Sequence, residues 1–326
     1  MLATAACVDQ PDDHRPTGRP TASVSTPTGS ARPVPLTKDA ESVAASFAAL
    51  RTVDPCALLV AAAVDDATGG TATQPRPGPH LGDCGLGATS NGAPIWEFRV
   101  SVGTSLSVVP SVYRHEFVEG LEVYLHSQDG HQTCEVYRPT SNEHAITLTV
   151  WNLGVASKPA CTTARLFLTA AMATWRTLPK RAQAPNGHVA TLATRDPCEP
   201  ARAILDVLGR LDGTTDPTAI YSCIVYPRPK GRSGPSVGGP ITVTFTIDTD
   251  PALDIEGGII EPVMIAGIAG AQIAARDRKC SVRIAHDRRV VASIGGDQLL
   301  QILGVKADSC AIAAVAAVAT HKTLTN

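Results

Sequence analysis

The sequence predicts an α+β fold built as two tandem repeats, each an antiparallel sheet packed with helices and stapled by two disulfides. Three observations lead there. Eight of the nine cysteines fall into two sets of four: Cys56, Cys84, Cys134 and Cys161, then Cys198, Cys223, Cys280 and Cys310. Their gaps run 28, 50 and 27 residues in the first set and 25, 57 and 30 in the second. Their neighbours also match: Asp54-Pro55-Cys56 parallels Asp196-Pro197-Cys198, and Gly120-Leu121 ahead of Cys134 parallels Gly267-Ile268 ahead of Cys280. Shared spacing with shared neighbours is the mark of an internal duplication.

The elements follow in order. Residues 1–37 read as a signal remnant and a Pro/Thr/Ser-rich tether, because the stretch from Pro11 to Pro35 has too little apolar material for a core. The first repeat spans 38–180. Ala40–Arg51 has helical spacing, and Asp54-Pro55 predicts an N-cap and first-turn proline opening a second helix through Asp65. Strand patterns follow at Ile95–Val102, Leu121–His126, Cys134–Arg138 and Ala145–Trp151, with a turn over 127–131. Cys161 leads into a helix over Thr162–Trp175. The second repeat, 188–326, retraces this order after a linker around Pro179–Asn186. Asp196-Pro197 predicts a helix over Ala201–Leu211. Strands are expected at Ser222–Tyr226, Ile241–Asp248, Ile268–Ala274, Cys280–Ala285 and Val290–Ser293, and a helix at Ala311–Thr320.

Zinc competes for sets of four cysteines, but structural zinc sites usually take ligands in close pairs, and none exists here. Isolated cysteines suit long-range disulfides; buried free thiols are the plainer alternative. Four cysteines allow three pairings, of which first with second and third with fourth is expected. Disulfides call for an oxidising, extracytoplasmic compartment. Cys7 then acquires a role, because it follows the small apolar run Leu2–Ala6 as a lipid-acceptor cysteine follows a signal peptide. A charged and fully apolar leader is lacking ahead of it, so the expectation is a late-assigned start or a partial precursor. Lipid on Cys7 would hold the chain to the outer membrane face without spanning it.

Composition narrows the classes. The net charge is −2 and the pI near 6.5, so no global field draws the chain to nucleic acid or an acidic membrane. Aromatics are 4% of residues, which argues against rows of base-stacking side chains. The longest apolar run, near Ala311–Ala319, is too short for a bilayer. Hydrophobics at 44% exclude a disordered chain.

The run Asp-Pro-Cys-Ala-Leu-Leu at 54–59, a cysteine one element later, a strand-borne cysteine and a cysteine opening a last Ala-rich helix resemble actinobacterial cysteine-framed lipoproteins of unknown function. The pattern is similar as well to extracellular sensor modules of some receptor-like serine/threonine kinases. Leu208–Asp212 through Tyr221–Val225, and Arg278–Val282 through Ser309–Ala311, carry that second likeness. The resemblance covers about Asp54 to Leu324 and implies a fold, is nearly silent on function, and brings no catalytic residues. Glu199-Pro200 departs from it, standing where Ala57-Leu58 follow Cys56.

No catalytic set assembles in the sequence. His115-Glu116 would begin a zinc-protease motif, but the second histidine is replaced by Glu119, and Arg114–Glu122 reads as a solvated loop. Gly82–Gly87 mimics a nucleophile elbow, yet its Cys84 belongs to the disulfide frame; the glycines read as a turn before a strand. Asp65-Asp66 and the cluster Asp248, Asp250, Asp254 and Glu256 lack the calcium-loop pattern. Arg276, Arg278, Lys279, Arg283, Arg288 and Arg289 form a candidate anion-binding hairpin, against the plainer reading of cations guarding a sheet edge. No metal and no cofactor is expected. The function expected is a non-enzymatic envelope lipoprotein with two ligand- or partner-binding domains, its partner an unidentified envelope ligand or protein, with no nucleic acid. A secreted cell-wall hydrolase using carboxylates such as Glu97, Glu116 or Glu122, and a structural scaffold, are the alternatives.

Overall fold

The computed structural model describes residues 34–37, 40–106, 113–154, 158–181, 190–209, 212–229, 239–252, 260–265, 267–274, 279–294 and 296–325. Helix α1 (Ala40–Arg51) turns Ala40, Phe47 and Leu50 inward, spaced so that one stripe is buried. The Phe47 ring rests 4.5 Å from the ring of His144. Asp54 does not cap a helix. Its Oδ1 accepts the Cys56 N–H at 2.9 Å, closing an Asx turn, and helix α2 (Ala61–Thr68) starts only after that turn. Asp196 repeats this contact, accepting the Cys198 N–H at 3.0 Å ahead of α5 (Ala201–Val207). The Asp-Pro pairs mark turns because a short side chain satisfies the N–H two residues on before any helix can claim it.

Two antiparallel sheets carry the fold. The first holds β1 (Thr71–Ala72), β2 (Arg76–Pro77), β3 (Asp83–Ser90), β4 (Ala93–Ser105), β5 (Arg114–Val118), β6 (Leu121–Gln128), β7 (Thr133–Pro139) and β8 (His144–Asn152). The second holds β9 (Asp212–Ala219), β10 (Ser222–Arg228), β11 (Ile241–Asp248), β12 (Ile260–Ile265), β13 (Ile268–Ala274), β14 (Cys280–Ile294) and β15 (Asp297–Ala307). Their strands lie in corresponding order: β3-β4-β8-β7-β6-β5 in one, β10-β11-β15-β14-β13-β12 in the other. Helix α3 (Ala160–Ala170) covers β6, β7 and β8 and packs on α2, while α6 (Cys310–Thr325) covers β14 and β15 and packs on α5. The helix expected over Thr162–Trp175 is broken at Ala171, after which α4 (Met172–Thr177) continues. Trp175 is buried, and its indole N–H donates to the Leu58 carbonyl at 3.1 Å.

Several strands depart from the sequence reading. Gly82–Gly87 runs into β3 rather than a turn, and Arg114–Glu122 is the β5–β6 hairpin rather than a solvated loop. That hairpin turns on Glu119 (φ 49°) and Gly120 (φ 79°), both left-handed as a two-residue turn requires. The two strands expected at Cys280–Ala285 and Val290–Ser293 are one long strand, β14, with register shifts after Ala285 and Asp287. The eight cysteines form four pairs at disulfide distance: Cys56–Cys84, Cys134–Cys161, Cys198–Cys223 and Cys280–Cys310, with Cα separations of 4.9–5.2 Å. Each ties the helical layer, or the turn before it, to a strand.

Residues Pro33–Asn326 form one compact unit, and buried cations join its two sheets. Arg181 donates from Nη2 to the Leu81 carbonyl (2.6 Å) and the Tyr221 hydroxyl (3.2 Å), and from Nε to the Arg51 carbonyl (3.1 Å). Arg51 donates from Nη1 to the Ile220 carbonyl (3.1 Å), and its Nη2 lies 3.4 Å from Asp196. Burial lowers the Arg51 pKa, opposed by Asp196, and burial raises that of the Tyr221 phenol. The Tyr221 hydroxyl in turn donates to the Ala193 carbonyl at 3.2 Å. Gly103, at a bulge in β4 with φ 88°, lets Ile220 approach; a Cβ there would sit 3.1 Å from its side chain.

Beneath α6, the rings of His286 and His321 meet edge to face at 5.6 Å. Burial first, then the neighbouring His321, lowers the His286 pKa to about 4, with Arg195 adding to the shift and Asp287 opposing it. Burial also lowers that of His321. Both rings titrate higher in the unfolded chain, so the unfolded state binds more protons as the medium acidifies. Stability is complete above about pH 6.5 and falls as pH drops toward about 4. We expect a loss of roughly 1–2 kcal/mol after allowance for partial exposure. Urea titrations at about pH 7.5 and about pH 4.5 should show it, and His286→Phe should flatten the difference.

Candidate functional site

Cross-strand partners share a sheet face, so the ladder registers assign side chains to faces. On the helix-covered face of the first sheet lie Val123, Leu125, Val136, Leu148 and Cys134, all buried. Glu116 shares that face, where Arg165 of α3 grips it with two bonds (Nε to Oε1 2.6 Å, Nη2 to Oε2 3.0 Å). Those bonds hold the Glu116 carboxyl below its usual range.

The opposite face is different. His115 pairs with Tyr124, Tyr124 with Tyr137, and Phe117 with Glu122, while Thr133 pairs with Trp151 and Trp151 with Glu97. The chain has thirteen Phe, Tyr and Trp residues, and eight of them are buried: seven in the core or at the junction, and Tyr137 on this face at 8% exposure. Of the chain's aromatics, Tyr113, Phe117, Tyr124, Tyr137 and Trp151 share this one face. Tyr113 stands edge-on over Tyr137 (5.1 Å, 87°) and beside His126 (4.8 Å), while His115 lies against Tyr124 (5.0 Å) and Phe117 (5.2 Å). Phe117 is 65% exposed, a large apolar ring left in water on an edge strand. Trp151 stands two face positions beyond Thr147, the β8 partner of Tyr137, about 13 Å along the strand. The Arg99 guanidinium lies 5.0 Å from the centre of the Trp151 ring and pairs with Glu97 at 3.1 Å.

Carboxylates are set among these rings. Glu135 accepts the Tyr113 hydroxyl at 2.6 Å, and burial together with that bond raises the phenol pKa. Glu122 lies 3.1 Å from His115 Nε2 and accepts the Tyr124 hydroxyl at 3.4 Å. The arrangement offers flat apolar rings bordered by hydrogen-bond acceptors. Glu97 and Glu122 lie on this face and Glu116 on the other, so the three carboxylates named in the sequence do not converge. The aromatic face was not singled out in the sequence, although His115-x-Phe117 and Tyr124-x-His126 carry the alternation that reveals it.

The basic hairpin is placed differently from a free anion site. Arg283 pairs with Asp248, Arg288 with Asp250 (2.6 Å) and Arg289 with Asp287 (2.5 Å), so part of the acidic cluster neutralises it. Lys279 is exposed just ahead of β14. Arg276, Arg278, Asp254, Glu256 and Cys7 lie outside the described residues. Asp65 accepts the Ala72 N–H at 2.6 Å. Among the described residues no cluster of three or more His, Cys, Asp or Glu is placed to hold a metal ion, and no helix is long and apolar enough to cross a membrane. No protein-family model, curated protein or solved structure matches the chain.

Proposed function

We propose that this chain is a non-enzymatic, exported binding protein of the cell envelope, held to the membrane face by lipid on Cys7. It binds through the open aromatic face of its first sheet. The exposed Phe117 and the partly exposed Tyr113, Tyr124 and Trp151, gathered around the buried Tyr137 on that face, carry the reading, because an apolar patch reachable from water marks a binding surface. We propose further that the halves descend from one duplicated unit with two disulfides in each copy. The corresponding strand orders and the two Asx turns at Asp54 and Asp196 support that view. The copies then serve different roles, because the matching face of the second sheet carries the Arg283–Asp248 pair and the buried aliphatics Ala285, Leu300 and Ile302, with Tyr226 as its aromatic.

Intact-mass and non-reducing peptide mapping of the protein from its native host tests location. The expected result is a lipid adduct on Cys7 and four disulfides paired as above. An unmodified Cys7 with free thiols would remove the envelope assignment. Retention of the full chain on the insoluble envelope fraction tests binding, and Phe117→Ala/Tyr124→Ala is expected to abolish that retention.

A further inference from the structure

We propose that the open face of the first sheet binds a neutral polysaccharide, whose sugar rings stack on Phe117, Tyr124 and Trp151 while their hydroxyls donate to Glu97 and Glu122. The inference rests on the reading of this face as a binding surface and names what it takes.

The chemistry of the face selects among flat or extended ligands. A pyranose or furanose ring presents an apolar face of C–H groups, each slightly positive, to the negative π-face of an aromatic ring. Its rim is a ring of hydroxyl donors, which carboxylates accept without a charged partner. Phe117 and His115 are exposed, and Glu122 and Glu97 keep 48% and 42% of their side-chain surface open to water, so rings and acceptors are reachable together.

An anionic ligand meets the wrong sign of charge. Glu97, Glu122 and Glu135 lie on the face against two cations, Arg99, which is paired with Glu97, and the exposed Arg76 in the same row at the β2 edge, so carboxylates are in excess. A nucleic acid could stack its bases on the same rings, but its phosphates would run along these carboxylates and need the cations that such binders supply. A protein partner would seek an apolar patch cleared of charge at its centre, whereas here each ring neighbours a carboxylate or an imidazole. A neutral, polyhydroxylated chain satisfies both components. The separation of about 13 Å along the strands between the row that holds Tyr124 and the row that holds Trp151 favours an oligomer over a single sugar.

The test uses the full chain and calorimetric titration with maltoheptaose, mannohexaose and chitohexaose as neutral probes. Oligogalacturonate and oligothymidylate serve as anionic ones. At least one neutral oligomer is expected to bind, with oligogalacturonate and oligothymidylate each at least about tenfold weaker. Phe117→Ala, Tyr124→Ala and Trp151→Ala should each weaken the neutral ligand about tenfold. Tyr226→Ala, on the second sheet, should leave binding unchanged. Thermal melts of each variant separate loss of binding from loss of fold, and Phe117→Ala, at an exposed ring, keeps the test open if a more buried variant unfolds. Three results overturn the proposal: no neutral oligomer binding at millimolar concentration, equal binding of an anionic probe, or affinity that survives the Tyr124→Ala/Trp151→Ala pair. If the sugars fail while the envelope fraction still retains the wild type and not the face variants, the ligand class is wrong and the binding face stands. If neither is bound, both readings fall.

Discussion

Arg181→Leu is expected to destabilise the protein by about 2–5 kcal/mol, because buried acceptors left without their donor cost about 1–3 kcal/mol each. Arg181 is 8% exposed, and its guanidinium donates to three acceptors from separate parts of the chain: the Leu81 and Arg51 carbonyls and the Tyr221 hydroxyl. Leucine fills part of the volume and donates nothing, so two buried carbonyls each lose a donor. Arg181→Lys keeps the charge but has no planar fork to reach three acceptors and should recover only part of the loss. Arg195→Leu makes the contrasting control, because its ion pair with Glu199 is partly exposed and worth at most about 1 kcal/mol, and its further bond to the Thr323 carbonyl is long at 3.3 Å. Urea denaturation followed by tryptophan fluorescence reads the difference. A shift for Arg181→Leu no larger than that for Arg195→Leu would mean that the junction is not held by its buried cation.

The second large effect is covalent. Replacing Cys134 and Cys161 together by alanine opens a loop of 27 residues, and the chain-entropy account puts the loss at about 3–4 kcal/mol. The other three bridges close loops of 25, 28 and 30 residues, so each removal should cost a similar amount. The pair in the first sheet and the pair in the second have no shared loop, and their effects should add. Reducing all four would then remove on the order of 10 kcal/mol, comparable to the whole stability of a typical domain. Melting curves with and without reductant test this: the reduced chain is expected to be unfolded at about 37 °C, and a reduced chain that melts within a few degrees of the oxidised one would refute it.

The four pairs at disulfide distance follow the expected order, first with second and third with fourth, although four cysteines in each set allow three pairings and their spacing alone selects none. Helix α1 and strand β11 were legible for a local reason: one has an apolar stripe, and Ile241–Asp248 alternates strictly between inside and outside. Strand β15 was not. In Asp297–Ala307 the run Leu299, Leu300, Ile302 and Leu303 does not alternate, because the strand is buried on both faces between β14 and β11. Strand β3 was hidden by Gly85 and Gly87, poor strand formers; Thr73 packs over Gly87. Strand β5 reads as polar because Arg114 and Glu116 face the helical layer only by pairing with each other and with Arg165. The binding face was invisible for a different reason. An average of 4% aromatics says nothing of their placement, and only the strand registers bring Phe117, Tyr124, Tyr137 and Trp151 to one side.

The course of the chain into the fold has a mechanical consequence. Leu36 bridges to Thr215 on edge strand β9 before α1 carries the chain back to the first sheet, with Thr215 N–H donating to Pro35 and Thr37 N–H to Thr215, both at 2.9 Å. Tension applied at the N-terminus therefore enters through the sheet more distant in sequence, and the first sheet is bypassed until that bridge shears. Every covalent bridge lies beyond it in the load path. Under a rising pull the bridge and then the junction should yield as an early, reversible step. The residues inside the four cross-linked loops would add nothing to the extension.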